Sequence, residues 1–449
     1  MKILVASHTY IVDLNREKFR ALARLKPDIE VKIVVPKIWQ PGGVQNKIIE
    51  TQPVNEGNFS VVPISNFSKN NQALLTFGLD LVSLLREFKP DIIQVEQGAK
   101  SLAYAQLITL SHLLGLGANN VFFTWWNLPY DVKFPLSVLE KYNLDNTHGL
   151  ISGNQDGVDI LREHSYKNQA VVLPQLGVDE KLFFPTPQPE LASELGIEKD
   201  EFVIGFVGRF VEEKGILTLI KALDHLKSKR WKLLLLGRGN LKETIISQAE
   251  KTGIKERLIM IESVPHDQVP RYINIMNTLV LPSETTYATK TFTAVGWKEQ
   301  FGHVLIEAMA CKVPLVGSDS GEIPYVIGEA GMIFSEKDVS ALASCLQQLI
   351  EEPKLAEKLG ELGYQRAMQK YTNQALAKKQ LDFYEELVLK SEVRKVQALL
   401  HLPNPLLITY YSSCGIPMEI AVVICQNRER ICNQQLWKPQ QKQEYPAVF

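Results

Sequence analysis

Phe206-Val207-Gly208-Arg209-Phe210-Val211-Glu212-Glu213-Lys214-Gly215 is the stretch whose reading decides the fold. The apolar run 202–207 leads into it as a buried strand, and 215–227 follows with helical spacing. Gly208 lets backbone approach a ligand closely. The helix start offers free N–H groups and a positive dipole end. Arg209 and Lys214, a planar fork and a point charge, would complete a pyrophosphate site there. On these ten residues alone, a solvated loop with Glu212 and Glu213 neutralising both cations explains the pattern equally well. No GxGxxG and no GxxxxGK[ST] stands here, so neither a dinucleotide fingerprint nor a P-loop applies.

Outward from this stretch the same alternation continues. Strands are predicted at 232–236, 258–261, 279–281 and 315–317, with helices at 241–251, 268–275 and 302–310. Before it, strands at 3–6, 31–36, 91–95, 121–125, 150–152 and 171–173 alternate with helices at 16–25, 74–88, 102–114 and 157–164. Continuous apolar strands alternating with helices predict parallel sheets covered on both faces. Pro185-Thr186-Pro187-Gln188-Pro189 is a stiff, polar connector. The fold class is therefore α/β, with two doubly wound Rossmann-like domains at 1–185 and 186–372. Helical patterns at 339–351 and 353–389 follow, and the helix over 373–392 could return to the first domain. Residues 393–449 are atypical. They hold Cys414, Cys425 and Cys432, with a Gln-, Asn-, Arg- and Lys-rich run at 426–443, and read as partly disordered apart from a strand at 420–424.

Composition excludes several classes. The 449 residues are 45% hydrophobic and 22% charged, ordinary for a globular chain. Forty-nine basic against 50 acidic side chains give no global field for nucleic acid, so an anion must be held by a local site. Five cysteines without a CxxC pair predict a reducing cytosol. The first apolar run is too short for a signal peptide, and 101–118 is interrupted by Gln106, Ser111 and His112, so no transmembrane segment is expected. The expected localisation is cytoplasmic. Lys378 and Lys379 on the basic helix 375–389 leave peripheral contact with the inner membrane face open, although such charges are commonly a solvated face.

Three further motifs carry chemistry. In Glu299-Gln300-Phe301-Gly302-His303-Val304-Leu305-Ile306-Glu307, two glutamates stand eight positions apart. On one helix they would lie about 12 Å apart along the axis. A helix beginning near Gly302 instead puts Glu299 in the preceding loop and Glu307 on the second turn, with free amides at 302–304 as a second anion site. Carboxylates grip vicinal hydroxyls well, so a diphosphate flanked by hydroxyl-rich groups suits this pattern. Ser318-Asp319-Ser320-Gly321-Glu322-Ile323-Pro324 is a strand end that would face the crevice. Trp125-Trp126-Asn127 could stack on a sugar and bond a hydroxyl, against the blander reading that the tryptophans are core.

Taken together, Gly208-Arg209-x4-Lys214-Gly215, the E-x7-E of Glu299 and Glu307, Leu281-Pro282-Ser283, Gly321-Glu322-Ile323-Pro324 and the 172–179 segment resemble glycosyltransferase family 4, over about residues 1–390. The resemblance implies the GT-B architecture, two domains facing across a cleft, with 1–185 on the acceptor side and 186–372 on the donor side. It implies that Arg209 and Lys214 hold the donor diphosphate, that Glu307 bonds the ribose and that Glu299 touches the transferred hexose. Phe301, Gly302 and Val304 would present backbone to phosphate and sugar. Catalytic roles would then fall to Glu299, Arg209 and Lys214, and donor binding would also use Gly208. His8, in the Ser7-His8-Thr9-Tyr10 stretch where the family has a glycine pair, Trp126 and Asn127 stand on the acceptor side. Residues 284–298 look like an insertion, and Lys312 stands where glycine is usual. No Asp-x-Asp pair stands in the chain, so no metal and no cofactor is expected beyond a nucleotide-diphosphate sugar as co-substrate. The implied function is transfer of a hexose-type sugar, with retention, to a hydroxyl of a polysaccharide, glycolipid or lipid-linked glycan. The alternatives are a nucleotide-sugar epimerase of the same fold and a non-catalytic sugar-nucleotide-binding subunit.

Overall fold

The structure is a computed structural model that describes residues 1–40, 48–290 and 294–400. It divides into two units, Met1–Val388 and Leu389–Phe449. The expected strand at 420–424 lies outside the described residues.

The first unit contains two doubly wound sheets. The first, read across, runs Gln169–Val172, Gly149–Ser152, Asn119–Thr124, Ile92–Val95, Lys2–Ala6, Glu30–Pro36, Phe59–Ile64 and Val54–Asn55. All neighbours are parallel except the last pair. The second runs Leu258–Ile261, Trp231–Leu236, Phe202–Val207, Thr278–Leu281, Leu315–Ser318 and Gly331–Phe334, all parallel. In both sheets the chain starts in the middle, winds outward one way, then returns and winds the other way. That leaves a switch point beside Lys2–Ala6 in the first sheet and beside Phe202–Val207 in the second, where loops diverge and a crevice opens. Ile3, Val5, Ile33, Ile93, Val121 and Phe122 are buried in the first core, and Ile204, Phe206, Leu234, Leu279 and Val316 in the second.

The helix Asn373–Leu400 follows the second sheet but packs on the first. Leu376, Ala377, Leu381, Phe383, Tyr384 and Leu387 belong to the first core. The Tyr384 hydroxyl and the Gln380 amide both donate to Gln94 Oε1, at 2.5 and 3.1 Å, in the buried centre of the first sheet. No described helix is long and apolar enough to cross a membrane.

Two expectations are corrected. The helical spacing at 74–88 gives a helix only over Asp80–Phe88. Backbone at 76–78 is held elsewhere: Phe77 N donates to Gln106 Oε1 (2.8 Å), and Gly78 N donates to Ser65 O (2.7 Å). The pattern 353–389 is two helices, Pro353–Lys370 and Asn373–Leu400. The break at Tyr371-Thr372 is where the chain crosses the interdomain segment: Val178 N donates to Tyr371 O, and Asn373 N to Val178 O. Thr286–Lys290 pairs antiparallel with Val295–Trp297. The strand Phe59–Ile64 escaped sequence reading because Pro63 interrupts it.

The seat of the last helix is tight. A Cβ on Gly149 would meet Leu387 Cδ1 at 2.5 Å and Phe383 Cζ at 2.9 Å. Gly149→Ala should therefore cost about 1–3 kcal/mol, as overpacking does. Urea denaturation read by tryptophan fluorescence checks this, and an unshifted midpoint would mean the helix yields freely.

Candidate functional site

Three loops meet at the switch point of the second sheet. The strand Phe202–Val207 ends in Gly208–Lys214, the strand Thr278–Leu281 in Pro282–Glu284, and the strand Leu315–Ser318 in Asp319–Glu322. Gly215 opens the helix Ile216–Asp224, and Gly302 opens the helix His303–Ala310. Gly302 has φ +78°, and a Cβ there would lie 2.6 Å from Leu281 Cδ2. Glycine thus lets the chain leave the Glu299 loop and enter the helix against the strand end. No side chain caps that helix, so the amides of its first turn have no side-chain acceptor.

Lys214 and Glu299 come together from opposite walls. Their side chains form an ion pair, with only 14% and 8% of each exposed. Ser283 Oγ donates to the same carboxylate oxygen at 2.7 Å. The Glu299 carbonyl is fixed as well, accepting from Glu322 N at 3.2 Å and from Asn127 Nδ2 at 3.0 Å. A Cβ on Gly321 (φ +54°) would sit 1.9 Å from that carbonyl oxygen, so only glycine allows the two loops to touch. Trp297, from the strand Val295–Trp297, places its ring 5.0 Å from Lys214 Nζ. Both side-chain ends of the pair and the backbone beneath it are therefore held before any ligand arrives.

Arg209 is placed differently. Its side chain is 62% exposed and lies 3.5 Å from Glu213. With Gly208 it lines a cavity of about 680 Å³, whose other walls include Gly237, Asn240, Glu262 and Val264. Glu307 lies on the second turn of its helix, 3.6 Å from His266 Nε2. That carboxylate holds the His266 pKa above the ordinary imidazole value. Phe301 is buried against Trp125, His303 and Tyr371. Burial lowers the His303 pKa, keeping that ring neutral. The Val304 side chain packs on the second core.

On the first domain a cavity of about 660 Å³ opens at that sheet's own switch point. His8, Glu96, Lys100, Trp126, Tyr130 and Gln175 are among its walls, and Gln300 reaches it from the Glu299 loop. His8 stacks 5.0 Å from Trp39, and burial pushes its pKa down to about 4. Trp126 carries Lys100 Nζ 4.8 Å from its ring. Trp125 lines the same cavity and is half-buried, with Nε1 donating to Gln175 Oε1 at 3.0 Å. The expectation that Asn127 bonds an acceptor hydroxyl meets a different arrangement. Its amide nitrogen is spent on the Glu299 and Lys298 carbonyls, at 3.0 and 3.4 Å, across the cleft.

Sequence reasoning missed several residues here. Ser283 and Glu322 stood inside quoted motifs, but their partners lie 16 and 167 positions away. His266, Trp297 and Glu96 carried no local signal. Gln155 N donates to Glu322 Oε2 at 3.3 Å, and Lys298 pairs with Asp156 at 2.6 Å, so charged groups of both domains meet beside the site. Burial pushes the Glu322 pKa up to about 7, aided by Asp156 and opposed by the Gln155 N–H and Lys298.

Residues 187–366 match the model of the family described as glycosyl transferases group 1. Among curated proteins, the chain is 32% identical over 198 residues to the capsular polysaccharide biosynthesis glycosyltransferase CapM of Staphylococcus aureus, covering 43% of this chain and 48% of that one. It is 24% identical over 256 residues to the N-acetyl-alpha-D-glucosaminyl L-malate synthase of Bacillus anthracis, covering 56% and 60%. The chain thus spans about half to three-fifths of the length of these relatives. Among solved structures, the sucrose-phosphate synthase of Thermosynechococcus elongatus superposes with a TM-score of 0.62 at 18% identity, over 86% of this chain and 99% of that one. Anabaena HepE in complex with UDP superposes with a TM-score of 0.61 at 15% identity, over 86% and 99%. At such identities the likeness establishes the fold: two Rossmann-like domains in the GT-B arrangement.

Glu322 yields a pH signature. Its folded pKa lies above the ordinary carboxyl value, so the folded chain binds this proton more tightly than the unfolded chain. The stability this gives is fully present below the ordinary carboxyl range and is lost as pH rises through about 7. Calorimetry at pH 6 and pH 8 should show the wild-type Tm falling more than that of Glu322→Gln. Parallel pH profiles for the two would exclude a buried, titrating carboxyl here.

Proposed function

We propose that the chain transfers a hexose-type sugar from a nucleotide-diphosphate donor to a hydroxyl acceptor, with retention and without a metal. The observation that carries this reading is the buried Lys214–Glu299 pair at the switch point, beside an uncapped helix start and between two cavities. The match of 187–366 to group 1 glycosyl transferases supports sugar transfer. The UDP complex of the structural neighbour HepE supports a nucleotide sugar as donor.

In this reading the nucleotide lies in the cavity at the ends of the strands Phe202–Val207, Trp231–Leu236 and Leu258–Ile261. Glu307, oriented by His266, accepts from the ribose hydroxyls. Arg209 and Lys214 bind the diphosphate oxygens, and the amides at 302–304 add donors along the helix dipole. These groups stabilise the negative charge that grows on the leaving diphosphate, which is where fixed positive charge and dipoles act most strongly. Glu299 stands next to the hexose. It is held by Ser283 whether or not Lys214 turns to phosphate, so it stays poised as positive charge develops on the sugar. The acceptor hydroxyl comes from the first-domain cavity, past Gln300, and loses its proton to the departing phosphate on the same face.

The decisive experiment is a panel of nucleotide sugars with released nucleotide as readout, run with metal and with chelator. Arg209→Ala should weaken donor binding by about 1.5–3 kcal/mol, the worth of a charge-assisted bond, without loss of Tm. Lys214→Ala should weaken it similarly and also lower Tm, because it leaves Glu299 buried without its cation. Glu299→Gln should lower kcat more than it raises the donor KM, whereas Glu307→Gln should mainly raise the nucleotide Kd. Near-wild-type behaviour in all four variants would remove the diphosphate from this site. A rate abolished by chelator would remove the metal-free mechanism.

A further inference from the structure

The first-domain cavity changes character from floor to mouth. Its deep residues are polar: Glu96 and Gln175 are buried, with Gln175 Nε2 donating to Glu96 Oε2 at 2.7 Å. Its more exposed lining carries Leu74 on one segment and Leu136 and Leu139 on another, with Gln72 beside Leu74. A ligand that fills it is therefore hydroxyl-bearing at one end and apolar at the other.

The apolar character continues outside the cavity. Leu74 sits in a chain reversal closed by Ser65, Asn66 and Phe67 pairing with Thr76, Phe77 and Gly78. On that reversal Phe67 is 80% exposed and Leu74 56%. The second lip is the segment that carries Leu136 and Leu139: Phe134 directly precedes Pro135 and the helix Leu136–Asp145 and is 83% exposed, while Val138 is 60% exposed. Single exposed apolar side chains are ordinary, but four large ones on the two segments that supply Leu74, Leu136 and Leu139 to the lining of one amphiphilic cavity are not. Lys69 and Lys133 stand beside the two phenylalanines and are exposed, so each lip joins an aromatic ring to a cation. Aromatic rings and lysines side by side on a protruding edge suit the boundary between hydrocarbon and anionic headgroups.

We propose that these two lips dock on an anionic lipid surface and that the acceptor is an amphiphile presented from it, its hydroxyl head against Glu96 and Gln175 and its aliphatic part leaving between Leu74 and Leu136. The acceptor assignment rests on the sugar-transfer reading of the site; the lipid-facing surface does not. It places membrane contact on the first domain's cavity mouth and not on the Lys378 and Lys379 helix.

The test is co-sedimentation of the full chain with vesicles of phosphatidylcholine containing phosphatidylglycerol. The wild type should partition onto the vesicles. Phe67→Ser with Phe134→Ser should reduce the partition coefficient by about tenfold or more, since each buries a large apolar group on insertion. Leu113→Ser, an exposed leucine at the far end of the helix Leu102–Leu113, should change nothing. Nucleotide binding in solution should be unaffected in the double variant, whose folding is thereby checked. Transfer to a vesicle-borne acceptor should fall with partitioning. Failure of the wild type to bind vesicles, or equal binding by the wild type and both variants, overturns the proposal. So does a double variant that turns a dimer into a monomer without losing vesicle binding, because the lips would then be covered by a second copy. Vesicle binding through these lips in a chain that binds no nucleotide would uphold the surface and remove the sugar-transfer reading.

Discussion

A lysine and a glutamate buried against each other set the terms for this molecule. An ion pair taken out of water is tolerated only when its geometry is good and its remaining bonds are satisfied. Lys214 comes from the loop after one central strand and Glu299 from a loop 85 positions later. Ser283, from the neighbouring strand end, completes the carboxylate. The position of each of these groups depends on the register of the parallel strands beneath. The pairs Gly205 with Leu279 and Leu279 with Leu315 bring the three strand ends level, so the three loops can meet.

The same glutamate couples the domains. Its carbonyl accepts from Asn127 of the first domain and from Glu322 of the second, and the adjoining Lys298 pairs with Asp156. Movement of one domain against the other would therefore be felt at the carboxylate through one short piece of backbone. The long helix Asn373–Leu400 adds a second tie. It crosses at Val178 and seats Gln380 and Tyr384 on Gln94 in the centre of the first sheet. These ties are polar and specific, whereas the two apolar cores remain separate clusters that share Trp125 at their edges.

The paired strands Thr286–Lys290 and Val295–Trp297 add a wall to the site. Trp297 faces Lys214, while Ala294 joins Tyr130 and Ile160 of the first domain in a small cluster. An element that touches both the charged pair and the lining of the acceptor-side cavity shapes the space through which the two ends of the cleft communicate.

The strand–glycine–helix stretch at 202–227 determined the fold class, because apolar runs of strand length alternating with amphipathic segments have few other solutions than a covered parallel sheet. The placement of Glu299 in a loop and Glu307 on a helix also followed locally, from Gly302 alone. Other features were illegible for a common reason. The spacing at 74–88 looked helical because Leu75, Leu81 and Leu85 are buried, but Gln106 and Ser65, distant in sequence, hold the backbone at 77–78. The break at Tyr371-Thr372 has no local cause beyond its pairing with Val178. The elevated pKa of Glu322 arises from burial between the domains, opposed by the Gln155 N–H of the other domain. Sequence determined which segments bury which faces, since periodicity is a property of neighbours along the chain. Tertiary structure alone decided which charges meet, because Coulomb and hydrogen-bond energies depend on distance in space, and the partners here lie tens to hundreds of residues apart.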